Sequence, residues 1–383
     1  MRGRFEIAVV GAGPAGAATA LALCRLGVRD VALLAAEDTD GPRIGESIPP
    51  DTRLILSDLG LWASFVAEGH DPCHGSCSSW GTDELGYNDF LFSPYGHGYH
   101  LDRRRFDAWL AKAAEAGGAR LLAGARIDAV EPLAGGGFRL RGAGPRGDGP
   151  ETDIEARFVV DATGRAARLA RKLGARRLVH DRLTFVYGFF PEGSAQGAHG
   201  LTTLEAVRDG WWYGARLPGG RLVAAFACDP ASTGQDAGDG DEGRQALPLS
   251  RDHGATQWMG RFRATRHVHR LLGTDVAPTD PLVVCEALSA HLDHASGADW
   301  LAVGDAASSF DPLSAQGIHK ALEDGIQAAR AIHARRRGEI PDFSAYAAGI
   351  QRRFAGYLAN RSHFYALEER WWDAPFWASR RAR

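Results

Sequence analysis

The feature that most constrains this chain is a glycine-rich hexapeptide, GAGPAG at residues 11–16, between a short apolar segment and a helical pattern. A strand before such a motif and a helix after it give the motif physical meaning. Gly11 permits a tight turn, Gly13 lets the backbone approach a pyrophosphate, and Gly16 lets the helix pack closely on the strand. The helix N-terminus then faces the anion. The motif therefore predicts a dinucleotide-binding βαβ unit.

One expected part of that unit is altered. A carboxylate that binds the adenosine ribose normally ends the second strand, roughly 20 residues further on. Ala35 and Ala36 occupy that place here, and Glu37 is the next acid. Either Glu37 substitutes from the loop or the ribose is held less directly.

Size and charge narrow the class of protein. A chain of 383 residues predicts two closely joined domains. Its 45% apolar and 24% charged residues are typical of a soluble globular protein, and a net charge of −3 disfavours nucleic acid as a partner.

Membrane, secretion and metal signals are weak. The apolar run Ile7–Leu23 carries the motif glycines, and no other stretch approaches the roughly 18 apolar residues of a membrane span, so we expect a cytoplasmic protein without membrane insertion. Five scattered cysteines do not form a secreted disulfide framework. The group His70, Cys73, His74 and Cys77 is packed too tightly in sequence for a usual zinc site, so we predict free thiols and no metal.

Hydrophobic patterns predict an α/β organisation with an interrupted first domain. We expect helices over Pro50–Ala67, His100–Ala116, Gln257–Leu272 and Ile318–Arg335, and a mobile loop over Ser232–Gly243. An antiparallel ribbon is predicted from Arg120–Leu122, Ala125–Val130 and Phe138–Leu140, and a hairpin from Trp211–Arg216 and Arg221–Cys228. The predicted domains are 1–70, 100–177 and 287–337 for the cofactor, 71–99 and 178–286 for the substrate, and a helical segment, 338–383.

Further motifs follow in a fixed order: Gly45-Glu46-Ser47, Leu101-Asp102-Arg103, Asp161-Ala162-Thr163-Gly164, and Gly304-Asp305 with Pro312 and Gln316-Gly317-Ile318. In this order they resemble the para-hydroxybenzoate hydroxylase superfamily of FAD-dependent monooxygenases, over residues 1 to about 335. The strings RIGESIPP and FDPLSAQGIHKALEDG are most similar to its tryptophan halogenase-like branch, which includes flavoproteins that mature tryptophylquinone oxidases. The resemblance implies a Rossmann-like FAD-binding domain of the glutathione reductase type, interleaved with a β-sheet-rich substrate domain and followed by a helical C-terminus.

Motifs and resemblance together predict these FAD-binding residues: Gly11, Gly13, Pro14, Ala15, Gly16, Glu46, Ser47, Arg103, Ile127, Asp161, Gly164, Asp305, Pro312, Gln316, Gly317 and Ile318.

Each motif has a physical rationale and a plainer alternative. Asp305 follows a strand and accepts hydrogen bonds from ribityl or ribose hydroxyls, unless it only caps a helix. Backbone N–H groups of residues 316–318 begin a helix and face the flavin edge that gains negative charge on reduction. The Arg103 guanidinium either donates hydrogen bonds to a phosphate or flavin oxygen or is simply a positive charge exposed to solvent. Asp161 and Gly164 shape the channel floor, or simply end a strand.

The resemblance also implies the reaction class, in which reduced flavin traps O2 as a C4a-hydroperoxide while the protein excludes water. Halogenases add a lysine after the Gly45-Glu46-Ser47 motif, but the lysines here are Lys112, Lys172 and Lys320. The halogenase W-x-W-x-I-P signature is also missing. We therefore expect hydroxylation of an indole- or phenol-like substrate, free or protein-bound. A geranylgeranyl reductase-like enzyme is the alternative, and a halogenase is less favoured.

Substrate and donor sites are less defined. Trp211 and Tyr213 share one face of a strand, where they either fill the core or roof an aromatic pocket. His291 is a weak candidate acid or base, since a hydrogen-bonded loop histidine is the plainer interpretation. The aromatic C-terminus, residues 361–383, either docks a tryptophan-bearing protein or covers the core. With one glycine fingerprint, either NAD(P)H visits transiently or a separate flavin reductase supplies electrons.

Overall fold

The structure is a computed structural model that describes residues 1–36, 43–142, 152–191, 200–230, 254–273, 276–279 and 281–381. Glu37 and the predicted loop Ser232–Gly243 lie outside the described residues. The predicted fold class is confirmed: mixed sheets are combined with a helical C-terminus.

The strands, in chain order, are β1 (Arg2–Val10), β2 (Val31–Ala35), β3 (Ser47–Ile48), β4 (Asp71–Cys73), β5 (Gly75–Ser79), β6 (Gly86–Asp89), β7 (Gly98–His100), β8 (Arg120–Ala123), β9 (Ala129–Pro132), β10 (Phe138–Gly142), β11 (Thr152–Asp161), β12 (Arg177–Phe190), β13 (Leu201–Val207), β14 (Gly210–Arg216), β15 (Leu222–Cys228), β16 (Val283–Leu292), β17 (Trp300–Ala302) and β18 (Ser308–Ser309). The helices are α1 (Pro14–Arg25), α2 (Thr52–Asp58), α3 (Trp62–Ala67), α4 (Arg103–Ala116), α5 (Arg168–Lys172), α6 (Gly254–Arg263), α7 (Val268–Leu272), α8 (Gly317–Arg336), α9 (Ser344–Ala366) and α10 (Pro375–Arg381).

The first sheet has a parallel part in the order β8-β2-β1-β11-β17, and β10 and β9 continue it antiparallel from β11. The carboxyl ends of three strands meet at one edge, because Val10 pairs with Asp161 and Asp161 pairs with Ala302. Ligands of open α/β sheets bind outside this edge. The glycine loop and the segment after β17 are therefore neighbours.

Helices α1 and α8 pack against each other on one face of this sheet. A Cβ at Gly325 of α8 would lie 2.7 Å from the backbone oxygen of Ala15, so the two helices touch through backbone. Their apolar side chains share one buried cluster with α4, which supplies Phe106 and Leu110. This close packing fixes the N-terminus of α8 relative to the N-terminus of α1.

The second sheet has the order β18-β16-β12-β15-β14-β13-β5-β6. Successive residues of β14 point to opposite faces. Trp211 lies in the cluster with Tyr365 and Trp377 of the C-terminal helices, whereas Trp212 packs with Trp258 under α6 and α7. Both faces of the sheet are thus covered. β16 continues the sheet to Leu292, past residue 286, where the sequence pattern places the return to the first domain.

Two predicted helices are each divided in two. Gly60, at φ 65°, separates α2 from α3, a conformation that favours glycine. The break between α6 and α7 comes from Glu205, a buried carboxylate on β13. It accepts the backbone N–H groups of Arg266, His267 and Val268 at 2.7 to 2.9 Å, and so begins α7 in a new direction.

The prediction for Arg120–Leu122 was wrong in its pairing. These residues form β8, which pairs parallel with β2 at the sheet edge. Because α4 precedes β8, the chain makes a strand–helix–strand crossover there, and such crossovers join parallel strands. β9 begins at Ala129 and pairs antiparallel with β10 as predicted, and β10 then pairs with β11, which was not part of the predicted ribbon. In the described part of the chain, no helix has both the length and the apolar character needed to cross a membrane.

Candidate cofactor site

The glycine loop is built as its spacing requires. Gly11 has φ 113°, and a Cβ there would lie 2.1 Å from the Ala162 backbone oxygen. A Cβ at Gly16 would lie 1.8 Å from the backbone oxygen of Gly11. A Cβ at Gly13 would meet nothing within 4 Å. Gly11 and Gly16 are therefore needed by the fold, whereas Gly13 borders open space at the N-terminus of α1.

The segment after β17 reaches the same place. Gly304 has φ 59°, and a Cβ there would lie 2.7 Å from the Cβ of Ala15 in α1. Its backbone N–H donates to the buried carboxylate of Asp324 at 3.2 Å. Asp305, the next residue, keeps 38% of its side chain exposed, and Lys320 Nζ lies 3.8 Å from its Oδ1. Asp305 is thus available to a ligand beside the glycine loop.

Arg103 holds a third segment at this site. Its Nη1 donates to the backbone oxygens of Ile44 and of Gly45, the latter at 2.8 Å, and its Nη2 lies 3.3 Å from Asp107. The backbone N–H of Leu101 donates to the backbone oxygen of Glu46 at 2.6 Å. The start of α4 therefore fixes the loop that carries Glu46 and Ser47. Asp102 caps α4 by accepting the Arg105 N–H at 3.1 Å.

Glu46 is the most unusual group of the site. Its side chain is 3% exposed, and Oε1 has no hydrogen-bond partner among the described residues. Arg103 Nε is unpartnered in the same way. Both residues line a cavity of about 250 Å³ together with Phe189, Leu217 and Arg221. Burial raises the pKa of the Glu46 carboxyl to about 7, although the charge of Arg103 opposes this.

The N-terminus of α8 completes the arrangement. Gln316 is its N-cap residue, and no side chain caps the first turn. Such a helix start leaves backbone N–H groups for an anionic ligand. Ala315 precedes it at φ 50°, and Thr52 Oγ1 lies 3.1 Å from His319 Nδ1. The contact ties α8 to the segment that follows Glu46 and Ser47.

Three other predicted cofactor residues, Asp161, Gly164 and Ile127, lie at or shortly after strand ends. Both carboxylate oxygens of Asp161 accept backbone N–H groups, from Thr163 on one side and from Leu169 and Ala170 on the other. Gly164, at φ 65°, turns the chain after β11. Ile127 is 5% exposed and packs in the core beside the end of β2.

The candidate substrate and catalytic residues, Trp211, Tyr213 and His291, lie in three different environments. Trp211 is 1% exposed, and its Nε1 donates to the Tyr365 hydroxyl at 3.0 Å, so it is a core residue. The hydroxyl of Tyr213 lies 3.2 Å from Ser47 Oγ, beside the site. His291 stacks on His180 and packs at a tilt against Phe354, and burial lowers its pKa.

Other residues of the string FDPLSAQGIHKALEDG were not predicted individually as site residues. Asp311, Lys320 and Asp324 are buried charged residues next to the predicted motifs. Acidic and basic residues four apart, as in Lys320 and Asp324, are common on solvated helix faces. Only the fold shows that these two are buried.

The group His70, Cys73, His74 and Cys77 lies on and beside β4 and β5. Cys73 and Cys77 are buried free thiols, and Cys73 Sγ donates to the Gly75 oxygen at 3.3 Å. Within the described ranges, no group of three or more His, Cys, Asp or Glu side chains is arranged to hold a metal ion.

Comparison with known proteins identifies the fold and the cofactor. Residues 4–189 match the family described as FAD binding domain. LodB of Marinomonas mediterranea, named as an FAD-dependent oxidoreductase, is 27% identical over 379 residues, which cover 99% of this chain and 97% of LodB. The sulochrin halogenase gedL of Aspergillus terreus is 28% identical over 89% of this chain, but this chain spans only 65% of its length. The structure of the peptidyl tryptophan dihydroxylase QhpG, essential for tryptophylquinone cofactor biogenesis, superposes with a TM-score of 0.74 and 27% identity, covering 98% of this chain and 78% of that one.

The chain is therefore an FAD-dependent oxidoreductase whose residues 4–189 match the FAD binding domain. Its halogenase relatives and the likeness to QhpG confirm the resemblance to the tryptophan halogenase-like branch of the FAD-dependent monooxygenases.

The residues of the site fit FAD. Gly13 borders open space that a pyrophosphate requires, and the Asp305 side chain is 38% exposed. Buried atoms of Glu46 and Arg103 have no hydrogen-bond partner among the described residues. We propose that these groups and the α8 N-terminus hold the cofactor, which supplies two-electron redox chemistry when bound.

We expect Asp305→Ala to weaken FAD binding by about 10- to 100-fold, because a carboxylate that accepts hydroxyl hydrogen bonds contributes about 1.5 to 3 kcal/mol. Titration of the apoprotein with FAD, followed by flavin fluorescence, measures the change. Asp58→Ala, which removes an exposed acid from an ion pair with Arg330, is the control and should bind FAD normally. Equal affinity of the two variants would contradict the assigned contact.

Proposed function

We propose that this protein is an FAD-dependent monooxygenase that hydroxylates an aromatic ring of the indole or phenol type, either in a free molecule or in a protein. O2 is the oxidant, and electrons come from NAD(P)H or from a separate flavin reductase. The proposal is supported by the FAD-binding family and by the likeness to QhpG, whose name describes a tryptophan dihydroxylase.

The observation that carries the proposal is an aromatic sheet face beside the flavin loop, residues 44–47. Tyr187, Phe189 and Tyr213 belong to one cluster on β12 and β14, together with Ile44 of the loop. Phe189 lines the same cavity as Glu46. Aromatic rings stack or pack edge to face with other aromatic rings. Phe189 therefore offers an aromatic surface to a substrate ring in this cavity, whose other lining residues include Arg103 and Arg221.

The chain's own groups supply a dry site and a proton. Glu46 is buried, and because burial raises its pKa to about 7, the carboxyl remains largely protonated below neutral pH. A buried neutral acid next to a cofactor can donate a hydrogen bond or a proton from its carboxyl oxygen. Arg103 and Arg221 line the same cavity and favour anionic groups there.

The lysines favour hydroxylation over halogenation. Lys112 and Lys172 are exposed on α4 and α5. Lys320 is buried, and its Nζ donates to the Ser308 backbone oxygen at 2.7 Å and to Asp324 at 3.4 Å. None of the three lines the cavity of Glu46. The lysine that the halogenase resemblance implies has no counterpart at the flavin loop.

Stopped-flow spectroscopy tests the reaction class. Enzyme is mixed first with NADH or NADPH to identify the donor, and photoreduced enzyme is then mixed with O2 in the presence of indoles, phenols or a tryptophan-containing peptide. We expect a transient absorbing species before the oxidised-flavin spectrum returns, and a product that has gained one oxygen atom by mass spectrometry. Single-phase reoxidation without product oxygenation would contradict the proposal and favour the reductase alternative.

A further inference from the structure

We propose that the C-terminal helix α9 is part of the flavin site, because it positions the loop of residues 312–317 through the carboxylate of Asp311. This inference goes beyond the proposed reaction, since it rests only on FAD being bound at the α8 N-terminus. Tyr357, Arg361 and Tyr365 are the positioning residues on α9. None of them was singled out by a sequence motif.

Three side chains of α9 converge on one residue. The backbone N–H of Asp311 donates to the Tyr357 hydroxyl at 2.7 Å. Arg361 Nε donates to Asp311 Oδ2 at 3.2 Å, and the Tyr365 hydroxyl donates to the same oxygen at 2.8 Å. Residues four apart on a helix share one face. Side chains from about two turns of one face of α9 are therefore hydrogen-bonded to Asp311.

The other side of Asp311 holds the loop. Its Oδ1 accepts the Leu313 N–H at 2.9 Å, and its backbone oxygen accepts the Ser314 N–H at 3.1 Å. These bonds close the short helical turn Pro312–Ser314, which leads directly into Ala315 and α8. One carboxylate thus connects α9 to the start of α8.

The loop needs such support because its backbone is strained. Ala315 has φ 50°, and a non-glycine residue in this left-handed region costs about 1 kcal/mol or more. Such a conformation persists only where surrounding contacts determine it. The Asp311 bonds fix the turn immediately before Ala315, so they define where the first N–H groups of α8 point.

The hydrogen bonds between α9 and Asp311 are buried, and Arg361 and Tyr365, which donate two of them, also contact the second sheet. Asp311 is 1% exposed, Arg361 5% and Tyr365 0%. Arg361 also pairs with Asp181 of β12, and the Tyr365 hydroxyl accepts a hydrogen bond from Trp211 of β14 at 3.0 Å. Buried polar networks of this kind specify orientation, because each lost partner leaves a buried group unsatisfied. The aromatic sheet face and the loop of residues 312–317 are therefore held by the same helix.

Two variants test the proposal. Tyr365→Phe removes one donor to Asp311, and Asp311→Asn weakens the hydrogen bonds that Arg361 and Tyr365 donate to this side chain. We expect FAD to bind about 10-fold more weakly in each, and the reduction potential of the bound flavin to fall. It falls because displaced N–H groups of α8 stabilise the negative charge of reduced flavin less. Affinity is measured by fluorescence titration and the potential by dye-coupled reduction.

Tyr346→Phe is the matched control. Tyr346 lies on the same helix, and its hydroxyl donates to the Ala302 backbone oxygen at 2.8 Å rather than to Asp311. It should lower the melting temperature of the apoprotein about as much as Tyr365→Phe while leaving FAD affinity and potential unchanged. If Tyr365→Phe and Asp311→Asn lower only the melting temperature, with affinity and potential like those of the wild type, the proposal is overturned. FAD affinity and reduction potential are both measured without hydroxylation, so a failure of the proposed reaction would not contradict this inference.

Discussion

Gly13→Ala is expected to raise the dissociation constant for FAD by at least about 100-fold while the apoprotein folds normally. Gly13 has φ −71° and ψ −176°, which alanine adopts freely, and its added Cβ would meet nothing within 4 Å. The methyl group instead enters the space at the α1 N-terminus that a pyrophosphate must occupy. Close approach of backbone to phosphate is the reason for glycine there.

This substitution isolates binding from folding, which its neighbours cannot do. A Cβ at Gly11 or Gly16 would overlap backbone oxygens, so those variants would disturb the fold itself. Gly356→Ala is the control, since it also adds a methyl group with nothing within 4 Å, on the exposed side of α9. Thermal unfolding of the apoproteins and FAD titration are compared. Wild-type affinity in Gly13→Ala would exclude the glycine loop as the pyrophosphate site.

The parts of the fold that the sequence predicted are those with local signals. The glycine loop combines a strand, a turn and a helix within a few residues, and Pro14 begins α1 as expected for the first helical position. The boundaries of α8 and of the β14–β15 hairpin likewise follow from apolar periodicity. Sheet pairing is not local. β8 was assigned to the wrong partner because its residues are compatible with either neighbour, and only the crossover through α4 decides.

The site was predictable to a similar extent. Gly304, Asp305 and Arg103 belong to ordered motifs, and the structure brings them to the glycine loop and the Glu46 loop. Trp211 shows the limit of this reasoning. Alternation along a strand predicts which residues share a face but not what covers that face. Here α9 covers Trp211 and places Tyr365 against its indole nitrogen. The residue spacing in β14 does not predict this contact.

The second large effect concerns Glu46 and pH. Burial raises the pKa of this carboxyl in the folded protein to about 7, from an ordinary value near 4.5. Between these values the unfolded chain loses the proton first, so the free energy of unfolding of the apoprotein falls as pH rises. Above about pH 7 the full cost, of the order of 3 kcal/mol, is present. Glu46→Gln cannot ionise and is expected to lack this loss.

Urea denaturation of the two apoproteins from about pH 5 to about pH 8 measures the effect. The stability of Glu46→Gln relative to wild type should rise across this range by about 3 kcal/mol. Buried His70 and His100, whose pKa values burial lowers to about 4, are present in both proteins and cancel in the difference. A flat difference for Glu46→Gln would mean that the carboxylate finds a partner or water in the cavity. The buried acid would then lose its assigned role as a proton donor beside the flavin.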